Sequence, residues 1–456
     1  MDRQPSATAL LAAATVGVYV LVVVGATAAL ADAAAACSGW PACGGDVSSP
    51  AVAVVLAHRL AAAIVGLLVA VTAVFAWSDL GGRSRAALGT AVVLYPVQAG
   101  FGALVASGGG VAGLHLAVAM AIFAALVLAL AWHLEAETGT DDAPARTPDP
   151  DPALDEPVPE PAPLSDLDGL RRVRATAWAY FQLMKPRLMW LLCLVAGAGM
   201  ALAGTPTVRT VLATLGGGIL AIGASGTFNH VLERDIDRRM ERTADRPVAT
   251  HVVPVRNAFA FGGLLTVAAL GAFLSVNLLV AALGLAAIAF YSVVYTLMLK
   301  PNTVQNTVIG GAAGALPALI GYAAVAGTLG VTGVVLAGVI FLWTPAHFYN
   351  LALAYKDDYE RGGFPMMPVV RGETETRKHI LLYLGATLLA ASALSALSGL
   401  GWLYAAVTVT LGGVFLWAVV RLHRERTESA AFRAFHASNA YLGLLLVAVV
   451  VDALAV

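Results

Sequence analysis

Long apolar stretches alternate with short polar segments along most of the chain. Thirteen of these stretches are long enough to cross a bilayer core of about 30 Å as an α-helix. They lie near residues 8–31, 50–77, 86–107, 111–133, 186–204, 209–228, 257–277, 279–299, 306–326, 331–350, 379–398, 401–420 and 437–455. Because only helices and closed barrels satisfy their backbone hydrogen bonds in lipid, the pattern predicts an all-α, polytopic membrane protein.

The predicted helices form two blocks. Four belong to residues 1–134 and nine to residues 179–456, with residues 135–178 between them. This middle segment contains the run TPDPDPALDEPVPEPAP, in which Pro alternates with acidic residues and apolar side chains are scarce. Such a sequence buries too little surface to fold, so we predict an extended linker between two membrane domains.

Composition and charge narrow the possibilities. Hydrophobic residues make up 59% of the chain and charged residues 12%, against roughly 25% charged residues in soluble proteins. The net charge of −1 provides no basic field, so we do not expect a nucleic-acid partner. If the N-terminus is cytoplasmic, only Arg59 and Arg209 of the 27 Lys and Arg residues lie off the cytoplasmic side. The positive-inside rule therefore predicts a multi-pass cell-membrane protein with that orientation.

Two polar loops of the second block place acidic residues at the ends of predicted spans, on the face predicted to be cytoplasmic. The first contains Asn229, Glu233 and Asp237, which spread over about 80° of one helix face if the preceding helix continues. The second contains Asp357 and Asp358. Mg²⁺ prefers such oxygen ligands and often shares them with phosphate oxygens.

Basic residues surround both acid clusters. They are Lys185, Arg187, Arg242, Arg246, Lys300 and Lys356. Acids between cations suit a metal-bridged polyphosphate, whose outer oxygens the cations would bind. The alternative is a solvated helix end on which the acids pair with Arg234, Arg238 and Arg239. Acids at two separate span ends favour the polyphosphate site.

His347 suggests a pocket beneath the second cluster. On a continuous helix it lies eleven residues before Asp358, so both side chains would face the same way, about 16 Å apart. A pocket with its polar mouth at Asp358 would then hold His347 deeper inside. The alternative is a histidine that is hydrogen-bonded to a neighbouring helix.

Four segments, in order, resemble the UbiA family of intramembrane prenyltransferases and, within it, the protoheme IX farnesyltransferases, or heme O synthases. The segments are MKPR (184–187), NHVLERDIDRRMERTADRP (229–247), YTLMLKPNTVQNTVIGGAAGALPALIGY (295–322) and WTPAHFYNLALAYKDDYERGGFPMMPVV (343–370). The resemblance covers nearly all of residues 179–456. It implies nine helices around a lipid-open cavity that binds Mg²⁺ and an isoprenyl diphosphate.

The resemblance also implies roles for individual residues. The implied catalytic residues are Asn229, Glu233, Asp237, Asp357 and Asp358, and the last four would ligate the metal. The residues implied to bind the diphosphate are Lys185, Arg187, Arg234, Arg242, Arg246, Tyr295, Lys300 and Lys356. The segment around His347 is peculiar to the heme-modifying branch, which implies that His347 touches the porphyrin.

The implied reaction transfers a farnesyl group from farnesyl diphosphate to a vinyl group of heme B, giving heme O for the heme A of respiratory oxidases. His230, where many family members carry a second acid, and the Asp357–Asp358 doublet fit the heme branch better than the quinone branch. Two alternatives stay open. One is a UbiA-type enzyme acting on a quinone precursor or lipid alcohol, and the other is a non-enzymatic heme carrier whose acid clusters are structural charge pairs.

The first block carries two cysteines and two intramembrane histidines. Cys37 and Cys43 lie close together in a loop predicted to be external, where a disulfide is expected and a pair of free thiols is the alternative. His58 and His115 lie in separate spans. They either provide the axial nitrogens of a heme or bond to backbone carbonyls.

This block resembles half of a heme A synthase, a family with eight helices rather than four. The motif CSGWPAC, the pair His58 and Arg59, and His115 carry the resemblance, and Gln98 falls in a matching third-helix stretch. Val55 stands where that family usually has an acidic residue. The resemblance implies a heme-binding domain, either a half-size synthase working as a homo-oligomer or a heme-delivery partner of heme A synthase.

Overall fold

The computed structural model describes residues 6–30, 37, 39–43, 48–139 and 168–455. Of the predicted linker 135–178, residues 140–167 lie outside the described residues. Within the described ranges every regular element is helical, and 13 helices are long and apolar enough to cross a membrane. The predicted all-α, multi-pass architecture is confirmed.

The helices follow the predicted spans closely. They are α1 Ala7–Leu30, α2 Pro50–Ala76, α3 Gly82–Ala106, α4 Ala112–Thr138, α5 Gly169–Leu183, α6 Pro186–Ala203, α7 Val208–Leu232, α8 Arg234–Asp237, α9 Val255–Leu274, α10 Leu278–Ala289, α11 Asn306–Ala326, α12 Val331–Ala354, α13 Lys356–Arg361, α14 Met367–Val370, α15 Glu373–Ser398, α16 Trp402–Glu425 and α17 Glu428–Ala455. A π-helical segment, Phe290–Leu299, continues α10. α15 and α17 begin earlier than predicted because polar residues extend these helices beyond their apolar stretches.

Local sequence signals explain several helix starts. The side chains of Thr207 and Asn277 accept hydrogen bonds from the backbone amides of Thr210 and Val280, which caps α7 and α10. Pro186 occupies the first position of α6, where its missing N–H leaves no hydrogen bond unmade. These signals fix where α6, α7 and α10 begin, and all three helices line the cavity described below.

Contacts divide the structure into two units. The first comprises the described part of residues 1–141 together with residues 377–448. In it α1 packs on α2, α4 and α16, and α3 packs on α4. Glu135 of α4 and Lys378 of α15 form an ion pair of 2.7 Å. The grouping thus joins α15, α16 and most of α17 to the first four helices, while the sequence-based domains 1–134 and 179–456 stay a prediction.

The second unit comprises the described part of residues 142–376 together with residues 449–455. α7 packs on α9, and α11 packs on both α6 and α12. At Gly199 and Gly321 an added Cβ would overlap the carbonyl oxygens of Ala318 and Ala196, so the backbones of α6 and α11 are in direct contact. Small residues allow such close helix packing in membrane proteins.

Candidate active site

The first acid cluster lies at a break between two helices. α7 ends just before Glu233 and α8 begins just after it, so the single helix expected to run through Asp237 is not formed. Asn229, Glu233 and Asp237 are nevertheless all buried, with exposures of 2%, 3% and 2%. Asp235, on the same short helix as Asp237, is exposed. The turn at Glu233 therefore buries the three side chains together although they do not lie on one continuous helix.

Asn229 connects side chains from two other elements. Its Oδ1 accepts a hydrogen bond from Lys185 Nζ, and its Nδ2 donates to Thr296 Oγ1 at 3.2 Å. Lys185 also donates to the Tyr291 hydroxyl at 3.2 Å. The backbone of Lys185 is left-handed, with φ of 54°, directly before α6. A non-glycine residue held in this region often marks a functional site, and here it carries the ammonium that reaches Asn229.

Cations compensate the two buried carboxylates. Lys300 Nζ lies 2.7 Å from Glu233 Oε1. Arg246 Nη1 lies 2.7 Å from both carboxylate oxygens of Asp237 and 3.8 Å from Glu233 Oε2. Together with Lys185, three cations therefore surround two carboxylates. Such an excess of positive charge suits an anionic ligand.

The second acid cluster is attached to the first loop through Asp358. Its Oδ1 accepts hydrogen bonds from the Glu241 amide at 2.7 Å and from Arg361 Nη2 at 3.0 Å. Its Oδ2 is buried and has no hydrogen-bond partner among the described residues. Asp357, the other acid of the doublet, is exposed. The doublet thus contributes one buried carboxylate, with one oxygen available to a ligand.

The helix that carries His347 does not continue to Asp358. α12 ends at Ala354, and Tyr355 leaves helical geometry with φ of −117° and ψ of 32° before α13 begins. The argument from an eleven-residue spacing required one continuous helix, so it does not hold. His347 is buried, and its ring stacks on that of Trp343 with centroids 4.2 Å apart and planes 13° apart.

The π-helical segment presents the remaining polar groups of the site. Thr296 Oγ1 donates to the carbonyl of Tyr291 at 2.9 Å, and the Lys300 amide donates to the carbonyl of Tyr295 at 2.9 Å. On an α-helix, residues 291 and 296 would point about 140° apart. The wider turn lets both face Lys185 and Asn229, and π-helical turns are frequent at functional sites.

The structure gathers only part of the predicted diphosphate residues. Lys185, Arg246 and Lys300 contact the acid cluster, and Arg242 lies beside it with its Nη2 3.3 Å from the Tyr359 hydroxyl. The Tyr295 ring packs against that of Tyr291, with centroids 5.5 Å apart, at the edge of the site. Three others lie apart: Arg187 is exposed, Arg234 pairs with Asp235 at 3.3 Å, and Lys356 pairs with Glu373 at 3.1 Å.

Sequence reasoning missed Tyr291, Thr296 and Tyr359. Tyr291 precedes Tyr295 by four residues, a helical spacing that would have indicated a shared face. Thr296 reaches the site only through the π-helical turn, which the apolar pattern does not reveal. Tyr359 directly follows the predicted Asp358, and nothing in the surrounding sequence marks it as a residue of the site.

Burial and neighbouring charges shift the pKa values of the site. Burial, reinforced by the nearby Arg246, lowers the pKa of Lys185 to about 7. Burial raises the pKa of Asp237 above its usual range, although Arg246 opposes the shift. Burial would also raise the pKa of Glu233, but Lys300, Lys185 and Arg246 together hold it below its usual value. Glu233 is therefore firmly anionic, while an arriving anion would favour the protonated form of Lys185.

An apolar cavity opens beside the cluster. Lys185 and Tyr291 line its polar end, and small or aliphatic side chains of α6, α7, α10 and α11 line most of the remainder. Cys193 of α6 is one of the lining residues. A polar mouth that leads into an apolar chamber can hold a ligand with a charged head and a hydrocarbon tail.

The chemistry of the buried acids fits a hard divalent cation. Glu233, Asp237 and Asp358 offer carboxylate oxygens, and Asp358 keeps a buried oxygen without a partner among the described residues. Over the described ranges, no group of three His, Cys, Asp or Glu side chains is arranged to hold a metal by itself.

The first unit has its own polar pair inside the membrane-spanning helices. His58 lies on α2 and His115 on α4, and Gln98 Nε2 lies 3.3 Å from His115 Nε2. The Nδ1 atoms of both histidines are buried without a partner in the described part of the chain. Gly25 and Gly102 face the two rings, because a Cβ there would lie 3.0 and 3.2 Å from Cε1 of His58 and His115.

Arg59 anchors the cysteine loop of the first unit. Its Nη1 donates to the carbonyls of Gly39 and Pro41 at 3.0 Å each. Cys37 and Cys43 are joined by a disulfide. Arg59 was expected inside a span, and it does lie on α2, but its guanidinium reaches the loop that the disulfide closes.

The comparisons with known proteins agree with one another. A profile of the UbiA prenyltransferase family matches residues 190–444. The chain is 74% identical to "Protoheme IX farnesyltransferase 1" of Natronomonas pharaonis and 67% identical to "Protoheme IX farnesyltransferase" of Haloarcula marismortui, in each case over 100% of both chains. A solved structure concerned with digeranylgeranylglyceryl phosphate synthase has a TM-score of 0.53 at 15% identity, covering 62% of this chain and 100% of that one. This last similarity concerns the fold alone.

Proposed function

The chain belongs to the UbiA prenyltransferase family, and we propose from this premise that it transfers a farnesyl group from farnesyl diphosphate to a vinyl group of heme B, giving heme O. The relatives that are similar over their full length carry this activity in their names. The observation that carries the proposal is the excess of cations at the mouth of an apolar cavity. An isoprenyl diphosphate matches this arrangement, because it has a polyanionic head and a hydrocarbon tail.

The cations would bind the outer oxygens of the diphosphate. In the reaction the bond between farnesyl C1 and the diphosphate oxygen breaks, and the bonding electron pair leaves with the diphosphate. Lys185, Arg246 and Lys300 already point at one cluster, so they can stabilise this growing negative charge without reorganising. The interaction is stronger in this partly buried site than in water.

The acids would hold the metal that the reaction requires. We assign Glu233, Asp237 and Asp358 as carboxylate ligands of Mg²⁺, with the exposed Asp357 contributing less. When bound, Mg²⁺ supplies positive charge at the departing diphosphate. Asn229 orients Lys185 beside these acids, which makes it a positioning residue.

The cavity would protect the farnesyl cation from premature capture by water. Apolar walls exclude water, which would otherwise quench the allylic carbon. The vinyl group of heme B then supplies the electron pair for the new carbon–carbon bond. A water oxygen adds to the resulting cation beside the porphyrin and releases a proton, giving a hydroxyethylfarnesyl group. We propose that His347 and the Trp343 ring on which it stacks contact the porphyrin.

The direct test uses the purified protein with heme B, Mg²⁺ and farnesyl diphosphate, followed by mass spectrometry. We expect a heme heavier by one hydrated farnesyl group, and we expect the product to disappear when Mg²⁺ is chelated. Diphosphate release with unchanged heme would refute heme as the acceptor and favour a quinone precursor or lipid alcohol. Intact heme and intact diphosphate would favour a heme carrier.

A second function is favoured by the histidine pair of the first unit. We propose that His58 and His115 bind a heme through their ring nitrogens, since both have a buried nitrogen without a partner among the described residues. Two histidines on separate helices of a bundle suit axial ligation. The unit would then serve either as a heme A synthase-like domain in a homo-oligomer or as a delivery partner of heme A synthase.

Orientation completes the proposal. The basic residues predict that the active-site mouth and the N-terminus face the cytoplasm of the cell membrane, and the disulfide-closed loop faces outward. Accessibility of the Cys37 and Cys43 loop to an impermeant protease in intact cells tests this. Cleavage only after cell lysis would overturn the orientation.

A further inference from the structure

The apolar cavity has a measurable length along α7. Its lining on this helix extends from Gly226, which contacts Lys185 at the mouth, to Thr214. These positions are twelve residues apart, which corresponds to about 18 Å at the rise of an α-helix. The cavity is therefore an elongated chamber with the diphosphate cluster at one end.

Phe273 lies toward the opposite end of the chamber, at the level of Gly217. Its ring is fully buried and lines the cavity. Gly217 and Gly284 hold the ring on two sides, because a Cβ on either residue would overlap it. A larger residue at either glycine would displace the ring. The absence of these two side chains is what leaves room for the ring.

Gly218 leaves the wall open partway along the chamber. It lines the cavity, and a Cβ placed on it would meet no atom within 4 Å. It lies eight residues from Gly226, about 12 Å from the mouth. Gly216, on the same helix, also has open space around an added Cβ but does not line the cavity. The two glycines thus differ in that Gly218 lines the chamber and Gly216 does not.

We propose that Phe273 and Gly218 set the length of the prenyl donor, Phe273 as the floor and Gly218 as the open wall that lets the tail reach it. The proposal rests on the proposed prenyl transfer. An isoprene unit adds four main-chain carbon–carbon bonds of about 1.5 Å and advances by about 5 Å when extended. From Gly226 to Gly217, which packs against the Phe273 ring, the chamber measures about 14 Å, which is close to the length of three extended units, so a fourth would meet Phe273.

The first test shortens the chamber. In Gly218→Leu, we expect kcat/KM for farnesyl diphosphate to fall at least tenfold relative to that for geranyl diphosphate. Gly216→Leu, with the same substitution two residues away, should keep the wild-type ratio. Equal ratios in both variants and in the wild type would overturn the role of Gly218.

The second test removes the floor. Phe273→Leu should raise the use of geranylgeranyl diphosphate relative to farnesyl diphosphate about tenfold. Phe261→Leu removes a ring on the same helix that packs on Tyr180 and does not line the cavity, so its ratio should not change. If Phe273→Leu does not fold, the Gly218→Leu comparison still decides the proposal.

Cys193 provides a measurement that needs no heme. It lines the chamber, and the other two of the three cysteines form the disulfide. Farnesyl diphosphate should protect Cys193 from alkylation by N-ethylmaleimide in the wild type and in Gly216→Leu, but not in Gly218→Leu. Absence of protection in the wild type would overturn the chamber as the tail site even if heme is farnesylated. Protection without any heme product would refute the proposed acceptor and leave the length assignment supported.

Discussion

The two units hold their polar groups inside the membrane protein by different means. In the second unit, buried carboxylates at Glu233 and Asp237 face the cations Lys300 and Arg246, and the chain breaks its helices where these groups meet. In the first unit, two imidazole rings project from uninterrupted helices toward glycines, and that of His115 lies beside the amide of Gln98. The second unit thus combines buried charges of both signs, whereas the first places ring nitrogens inside helices that stay intact.

The difference follows from what each ligand would demand. A buried charge is costly unless it is paired, so a site for a diphosphate must be assembled from several elements that bring both signs together. A porphyrin needs apolar walls and only two donor atoms, which helices can supply without losing their hydrogen bonds. Substitutions in the charged site of the second unit should therefore have larger effects than substitutions at the histidine pair of the first unit.

The largest effect is expected for Asp237. In Asp237→Asn the carboxylate that pairs with Arg246 is lost, and we expect farnesyl transfer to fall roughly a hundred- to a thousandfold, as for other groups that stabilise developing charge. Asp235→Asn changes an exposed acid of the same short helix and should retain wild-type activity. The initial rate of heme O formation measures both. Near-wild-type turnover by Asp237→Asn would remove it from the site.

A second pair of variants separates the two acids of the doublet. Asp358→Ala removes a buried carboxylate that accepts from the Glu241 amide, whereas Asp357→Ala removes an exposed one. We expect at least a fiftyfold loss of kcat/KM for the first and less than a fivefold loss for the second. The Mg²⁺ concentration for half-maximal rate should rise mainly in Asp358→Ala. Equal losses would mean that Asp357 turns inward when substrate binds.

The first unit should respond more mildly. His58→Ala or His115→Ala should weaken heme binding about tenfold or more, measured from the absorption bands of six-coordinate heme, while farnesyl transfer changes less than twofold. His133→Ala is the matched control, since this buried histidine lies on α4 with His115 but contacts Glu137 instead. Loss of farnesyl transfer in the His58 variant would show that the two units do not act separately.

The sequence predicted elements better than junctions. The 13 helices followed from apolar length alone, because a segment in lipid must satisfy its own backbone hydrogen bonds. The end of α7 at Glu233 and the break at Tyr355 did not, since both depend on contacts with distant loops. The grouping of α15 with the first helices likewise depends on long-range packing.

The residues of the candidate site also divide into some that the sequence predicted and others that it did not. Lys185, Arg246 and Lys300 were predicted because their charges stand out in an apolar chain. Thr296 was not, since its place in the site depends on a π-helical turn that leaves no mark on hydrophobic periodicity, and Tyr291 was overlooked although it lies four residues before the predicted Tyr295. Residue type therefore identified the charged part of the site, while backbone geometry supplied the neutral hydrogen-bonding part.

The pH dependence of donor binding provides a further prediction. Burial and the charge of Arg246 lower the pKa of Lys185 to about 7, while Glu233 and Asp237 oppose this shift and Lys300 adds to it. Below pH 7 the ammonium is charged before the diphosphate arrives. Above pH 7 it is mostly neutral, so binding an anion beside it must take up a proton, and KM for farnesyl diphosphate should rise with pH by up to tenfold per unit.

Lys185→Arg isolates this contribution. An arginine stays charged throughout the measured range, so the rise in KM between pH 7 and pH 9 should be less steep in the variant than in the wild type. Titration of the diphosphate itself affects both proteins equally and cancels in the comparison. Parallel slopes would show that Lys185 keeps its charge in the free protein, which would place it with Lys300 as a permanent cation of the site. A shallower slope in the variant would instead show that Lys185 becomes fully charged only when the substrate binds.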